Sequence, residues 1–231
     1  ETDTAEGVLT IEGEAEELDG DETDNNLDGT AGNDVINGNA GNDTIDGGAG
    51  SDTMDGGTGN DIFFVDDAGD VVIEAAGEGY DRVNTTITHT LAENVEMATA
   101  RGTADIDLTG NDGNNWLNGN AGSNVLTGLA GNDRLQGKAG ADTLDGGTGN
   151  DNLFGGADID TFVFADGDGS DVIWDFEDGE IINLAGTSAT SFDDLDIFDA
   201  ASGANIDYGT GVVVVSGVTT AELDASHFEF V

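Results

Sequence analysis

Carboxylates and side-chain amides recur along this chain at nine-residue intervals. Asp34, Asp43, Asp52 and Asp61 form one run, and Asn115, Asn124, Asp133, Asp142, Asp151 and Asp160 form another. Asp70 lies one step further on the first grid, and Asn25 opens it. Oxygen is the donor such rows offer. The chain has no Cys and only two His, so the soft donor sets that select zinc or copper are missing. Carboxylate and backbone carbonyl oxygens suit a hard cation, and Ca2+ takes six to eight of them.

Each acid sits in the same frame. In the first run Gly29, Gly38, Gly47 and Gly56 open the units, and Gly32, Gly41, Gly50 and Gly59 follow three residues behind. Ile36, Ile45, Met54 and Phe63 then supply one large apolar residue per unit. The second run opens on Gly110, Gly119, Gly128, Gly137, Gly146 and Gly155, with Gly131, Gly140 and Gly149 among its fourth-position glycines. Its apolar slots hold Leu117, Leu126, Leu135, Leu144, Leu153 and Phe162. The unit is therefore G-x-x-G-x-D-x-U-x, with U apolar, and residues 20–28 are a degenerate opening copy.

The elements that must position these acids follow from the unit. Glycines at the first and fourth positions are expected to adopt backbone conformations closed to other residues, making a six-residue turn with carbonyls aimed inward. The last three residues form a short strand with U pointing into the core. Two units make a coil of 18 residues, so each turn stacks on the turn two units later. Parallel strands lie about 4.8 Å apart, which brings the acids of stacked turns together. The expected pairs are Asp34 with Asp52, Asp43 with Asp61, Asp52 with Asp70, Asp133 with Asp151, and Asp142 with Asp160. Asn115 with Asp133 and Asn124 with Asp142 are weaker, because an amide brings oxygen without charge. Carboxylates so close repel unless a cation lies between them.

The unit resembles the G-G-x-G-x-D-x-U-x nonapeptide of the repeats-in-toxin (RTX) family. The likeness is close over residues 20–64 and 110–163 and looser elsewhere. It implies an all-β fold, a right-handed parallel β-roll (a β-helix or solenoid) with Ca2+ in the turns, two repeat blocks and a C-terminal β cap. It also implies roughly six to eight ions. Besides the turn glycines, the implied metal residues are the acid-slot positions from Asp34 to Asp70 and from Asn124 to Asp160, with Asp171 as a last repeat acid. The second glycine of the family unit is replaced by Asn39, Asn111, Asn120, Leu129 and Lys138. Lys138 sets a cation beside a turn, and the sites it borders are expected to bind weakly or stay empty.

Composition narrows the partners. Fifty Asp and Glu face four Lys and Arg, for a formal net charge of −46. Phosphate backbones and anionic membrane surfaces need the opposite sign, so nucleic acid is excluded as a partner. No apolar run approaches the roughly 20 residues of a transmembrane helix. Thirty-eight Gly and no Pro argue for a repeated turn rather than a stalk. No catalytic constellation is visible: HExxH and GxSxG are absent, and His89 and His227 stand in unrelated contexts. The repeat explains the paired acids without acid–base catalysis.

The chain divides into an acidic lead-in (1–19), a first block (20–73), a connecting segment (74–109), a second block (110–163) and a C-terminal segment (164–231). Residues 65–109 either continue the solenoid in degenerate form or loop out and restart; a variant connection is favoured. Val71–Ile73 and Val83–Ile87 read as strands there, and Leu91–Met97 as a short helix or loop. Trp174, Phe176, Phe192, Leu195, Phe198, Phe228 and Phe230 are cap candidates. Ser170–Phe176 and Glu180–Leu184 resemble the closing segment of serralysin-like secreted RTX proteins. The ending Phe228–Val231 is similar to the family's uncleaved export signal, which implies a type I ABC transporter as partner. Residues 1–24 hold no apolar signal-peptide region.

The expected function is a non-enzymatic calcium-binding module of a secreted extracellular or cell-surface bacterial protein that folds on calcium after export. Glu1 in place of a starting Met motivates a second reading: a non-catalytic module at the C-terminal end of a secreted protease, lipase or alginate epimerase. A third is a calcium-dependent adhesin, surface-layer or self-assembling matrix protein.

Overall fold

The computed structural model describes residues 13–230, so most of the acidic lead-in and the terminal Val231 lie outside the described residues. Short parallel strands stack into a β-solenoid, each strand pairing with the strand one coil later. One face is a sheet of Glu17–Asp19, Val35–Asn37, Thr53–Asp55 and Val71–Ile73. Its register is the 18-residue offset, as in Val35 opposite Thr53 and Ile36 opposite Met54.

The other face is a twelve-stranded sheet. Its parallel part runs from Asn26–Asp28 through Thr44–Asp46, Ile62–Val65, Arg82–Thr85, Met97–Ala100, Trp116–Asn118, Arg134–Ala139 and Asn152–Ala157 to Ser170–Ile173. Residues 65–109 therefore carry this sheet through without a break. Opposite it the wall changes: a seven-stranded sheet begins at His89–Thr90 and continues through Leu108–Thr109, Val125–Thr127, Thr143–Asp145, Thr161–Ala165, Ile181–Gly186 and Phe228–Glu229. The segment thus continues the solenoid on one side and restarts it on the other. Leu91–Glu96 is loop, and Met97 opens a strand.

The core is a ladder built on one apolar residue in most of the stacked strands, with a second buried one in longer strands such as Ile62–Val65 and Thr161–Ala165. Ile45, Phe63, Val83, Ala98, Leu117, Leu135, Leu153 and Ile173 face Ile36 and Met54, then Leu108, Leu126, Leu144, Phe162 and Ile182, and all are fully buried. Alternation in three-residue strands puts U inside and its neighbours outside.

The solenoid closes on an antiparallel meander. Val212–Ser216 joins Ser170–Ile173 in parallel, then pairs with Gly203–Asp207, which pairs with Asp196–Asp199 at the sheet edge. Phe192, Phe228 and Phe230 pack together, with ring centroids 5.2 and 6.3 Å apart along that series. Trp174 and Phe198 differ from the cap reading, being nearly half exposed. Trp174 stacks on Phe154 on the outer face of the long sheet, because its residue parity points it outward.

Candidate metal centre

The turns between strands are held by the acids themselves. In both blocks the backbone N–H of an acid-slot residue donates to Oδ1 of the acid one coil later. Asp34 donates to Asp52 (2.8 Å), Asp43 to Asp61 (2.6 Å) and Asp52 to Asp70 (3.0 Å). In the second block Asn115 donates to Asp133 (2.7 Å), Asn124 to Asp142 (2.7 Å), Asp133 to Asp151 (2.7 Å) and Asp142 to Asp160 (2.8 Å). The structure thus brings together every pair the nine-residue spacing predicts.

One oxygen of each carboxylate is spent in this ladder; the other is orphaned. Oδ2 of Asp43, Asp52, Asp61, Asp133, Asp142, Asp151, Asp160 and Asp171 is buried without a hydrogen-bond partner. These residues are at most 1% exposed. Buried polar atoms in folded proteins nearly always have partners, and an unpaired buried carboxylate is costly. Among the described residues no Lys or Arg lies within ion-pair distance of a carboxylate, and the ion pairs present are His227 with Asp178 and Asp224. Three of the four Lys and Arg are engaged elsewhere. Arg134 lies over the rings of Trp116 and Phe154, at 5.3 and 4.1 Å, and Arg101 over Phe64 at 5.9 Å. The Lys138 ammonium donates to the carbonyl of Gly119, beside the turn of Asn124.

The turn glycines divide the work differently from the expectation. Fourth-position Gly41, Gly50, Gly59, Gly131, Gly140 and Gly149 do adopt positive φ, between 103° and 147°. The opening glycines do not; they are required for space. A Cβ on Gly38 would collide with Asp43 Oδ2 and the carbonyl of Gly56, and one on Gly128 with Asp133 Oδ2 and the carbonyl of Gly146. Gly29 and Gly137 stand in the same relation to Asp34 and Gly47, and to Asp142 and Gly155. The left-handed position is the second one, at Gly48, Gly57, Gly147 and Gly156, and Asn39, Leu129 and Lys138 also adopt it with φ of 71–84°. The turns of Asp43, Asp133 and Asp142 therefore gather an orphaned carboxylate oxygen and a backbone carbonyl around a space kept free of side chain. Hard oxygens in that arrangement fit Ca2+.

Some slots differ. Asp34 Oδ2 accepts from the Thr30 N–H, and Asp70 Oδ2 from the N–H groups of Asp66 and Asp67. Asn124 accepts from the Asn120 N–H and donates to the Ile106 carbonyl, and Asn115 accepts from the Asn111 N–H. These amides complete their own turns.

Burial without a counter-charge raises the acids. It pushes Asp133, Asp142 and Asp171 up to about 7, against the opposing pull of the N–H bond each accepts. Asp52, Asp61, Asp151 and Asp160 rise to about 6 for the same reason.

Three further residues belong to the acid row and lie off the nine-residue grid. The Asp61 N–H donates to Asp81 (2.7 Å), a coil 20 residues long, and the Asp81 N–H donates to Glu96 (2.8 Å). Glu180 precedes Ile181, which pairs with Thr161, so Glu180 occupies the slot after Asp160. Burial, then the charges of Asp81 and Asp61, pushes Glu74 up to about 9, and burial raises Glu180 to about 8. Asp171 likewise follows Asp151 by 20 residues and accepts its N–H at 2.9 Å. The signal was an acid two residues before a buried apolar one, as in Asp81–Val83 and Glu180–Ile182.

A profile of the RTX calcium-binding nonapeptide repeat (4 copies) matches residues 19–54, 28–63, 41–72, 109–144 and 127–162. Both blocks are RTX calcium-binding repeats. The matched stretches contain the turns of Asp43, Asp52, Asp61, Asp133, Asp142, Asp151 and Asp160, all with an orphaned oxygen, and the RTX parallel β-roll accounts for the all-β fold. Among curated proteins none matches the chain. Among solved structures, the crystal structure of extracellular lipase LipA from Serratia marcescens superposes with a TM-score of 0.47 at 21% identity. The match covers 99% of this chain and 41% of that one, so the chain spans less than half the length of that protein.

Proposed function

We propose that this chain is a non-catalytic RTX module that folds on binding calcium outside the cell. The observation that carries the reading is the row of buried aspartates whose second oxygens have no partner in a chain of net charge −46. Asp43, Asp52, Asp61, Asp133, Asp142, Asp151, Asp160 and Asp171 would hold the ions through Oδ2, together with the carbonyls of opening glycines such as Gly56 and Gly146. Bound calcium supplies positive charge where the protein has none. The chain's own groups do the rest. The N–H ladder fixes each Oδ1, the opening glycines leave the space open, and the apolar ladder sets the stacking distance.

Without the ion, repulsion between buried carboxylates opposes a core only one residue wide. The chain is then largely unfolded, a state suited to passage through a type I exporter at low cytosolic calcium. Millimolar calcium outside fills the turns, and binding energy becomes folding energy. The resemblance of Ser170–Phe176 and Glu180–Leu184 to the closing segment of secreted RTX proteins supports an extracellular setting.

The test is a calcium titration followed by circular dichroism. A cooperative gain of β signal, reversed by EGTA and not reproduced by magnesium, is expected. A spectrum indifferent to calcium would overturn the reading.

A further inference from the structure

The end of the first block departs from the ordinary turn. In the coils leading to the long sheet, the opening position is held by Gly20, Gly38, Gly56 and then Glu74. A Cβ on Gly20 would meet the carbonyl of Gly38, and one on Gly38 the carbonyl of Gly56. At Gly56 the corresponding neighbour is not a carbonyl but the Glu74 side chain: Oε1 of Glu74 and Oδ2 of Asp61 both crowd the space a Cβ would take. The backbone carbonyl of Glu74 accepts from the Asn94 side-chain amide at 3.0 Å. Asp81 enters from the next coil. One carboxylate oxygen from each of Asp61, Glu74 and Asp81 lies within 4.8 Å of the others.

Among the described residues nothing satisfies these oxygens. Glu74 is 7% exposed and Asp61 and Asp81 are 1% exposed. Both oxygens of Glu74 and Oδ2 of Asp61 and Asp81 are buried without a partner. Three carboxylates with four orphaned buried oxygens around one space cannot all carry charge there without a cation.

We propose that Asp61, Glu74 and Asp81 form a calcium site of a second kind, in which a glutamate carboxylate replaces the glycine carbonyl of the repeat turn, and that this site binds calcium more tightly than the repeat turns do. The inference rests on the calcium reading above. Its physical reason is charge count: affinity for Ca2+ rises with the number of carboxylates in a site of given geometry. The site sits where the wall opposite the long sheet changes from one sheet to the other, after Val71–Ile73 and before His89–Thr90. An ion there ties together coils at the junction where pairing on that wall is interrupted.

The experiment compares the full chain with Glu74→Gln, and with Asp142→Asn as an ordinary-turn variant, by calcium titration in competition with a chelator of known affinity. The wild-type chain is expected to hold its tightest ion at least about tenfold more strongly than Glu74→Gln does. Asp142→Asn should keep that ion and weaken a looser one. Thermal unfolding separates a ligand from a structural role. Glu74→Gln should melt lower than wild type in calcium yet no lower in calcium-depleted buffer with EGTA at pH 5, where acid favours the calcium-free roll, because it removes a buried acid that only the ion compensates. Superimposable titrations of Glu74→Gln and wild type, with wild type binding several ions, would overturn this site and leave the repeat reading standing. Equal loss of stability in calcium and in EGTA would also overturn it. A wild-type chain that takes up no calcium would overturn both.

Discussion

At the residue scale the turn acids do two jobs with two oxygens. Oδ1 accepts a backbone N–H from the previous coil, which orients the side chain within the folded roll. Oδ2 is left for the ion. Asp142→Ala removes both functions, whereas Asp142→Asn keeps an acceptor for the Asn124 N–H and loses the charge. Both should lower calcium affinity and cooperativity, and Ala should also destabilise the fold at saturating calcium by about 1–3 kcal/mol through the orphaned N–H. Isothermal titration with denaturant unfolding checks this, and an unaltered Asp142→Ala isotherm would remove that turn from the site map.

The raised acids give a signed pH dependence. Asp133, Asp142 and Asp171 titrate near 7 in the calcium-free fold against about 3.9 in the unfolded chain. A group raised on folding contributes stability that is fully present below its unfolded value and lost as pH climbs through its folded value. The calcium-free roll is therefore favoured by acid and weakened steadily between about pH 4 and 7. In EGTA the β signal should be stronger at pH 5 than at pH 8. With calcium present the trend reverses for binding, since protons compete for the same oxygens, and apparent affinity should fall below about pH 6–7. An EGTA spectrum equal at the two pH values, or weaker at pH 5, would contradict the burial of these acids.

At the scale of elements, the ordinary repeat strand is three residues long and contributes one core side chain, and the longer Arg134–Ala139 strand keeps that one large apolar residue in Leu135. Leu135 stacks between Leu117 and Leu153 in register and is fully buried. Leu135→Ala should cost about 2–5 kcal/mol in the calcium-loaded protein, because flanking coils pinned by their own ladder cannot collapse into the gap. Calcium-saturated chemical unfolding measures it; a loss under about 1 kcal/mol would mean that turns rather than the core hold the stack. The same strand explains what was legible in advance. A strict period of nine marks both blocks, their pairings and their core ladder, because each unit repeats one turn and one strand. Asp81 and Glu180 escape that period because their coils have 20 residues, the extra two being taken up in turns where nothing must stay in register. Glu96 escapes because its coil is shorter and its side chain longer, so a different residue reaches the same N–H. The role of the opening glycines was misread for a related reason: sequence shows that a side chain is excluded, and only the neighbouring coil shows what fills the space.

At the scale of the molecule, two kinds of repulsion oppose folding, and they respond differently to solvent. Part of the net charge of −46 is carried by exposed acids, where salt screens it within a Debye length of about 3 Å at 1 M. The orphaned oxygens are buried, where mobile ions do not enter and screening is weak. Sodium chloride near 1 M should therefore recover only part of the β signal in EGTA, and calcium should supply the remainder at either ionic strength, with a shifted midpoint. Full recovery by sodium chloride alone would mean that surface screening, not occupation of the turns, drives folding. Light scattering on the same samples addresses assembly. The long sheet ends on Asp196–Asp199, whose flanking acids set like charges along the unpaired edge and oppose pairing with another copy. Calcium that folds the chain should thus leave it monomeric at that end, because the ions are taken up in buried turns and the edge keeps its charge. Growth in particle size on calcium addition would place calcium between molecules and favour the matrix-forming reading over the folding module.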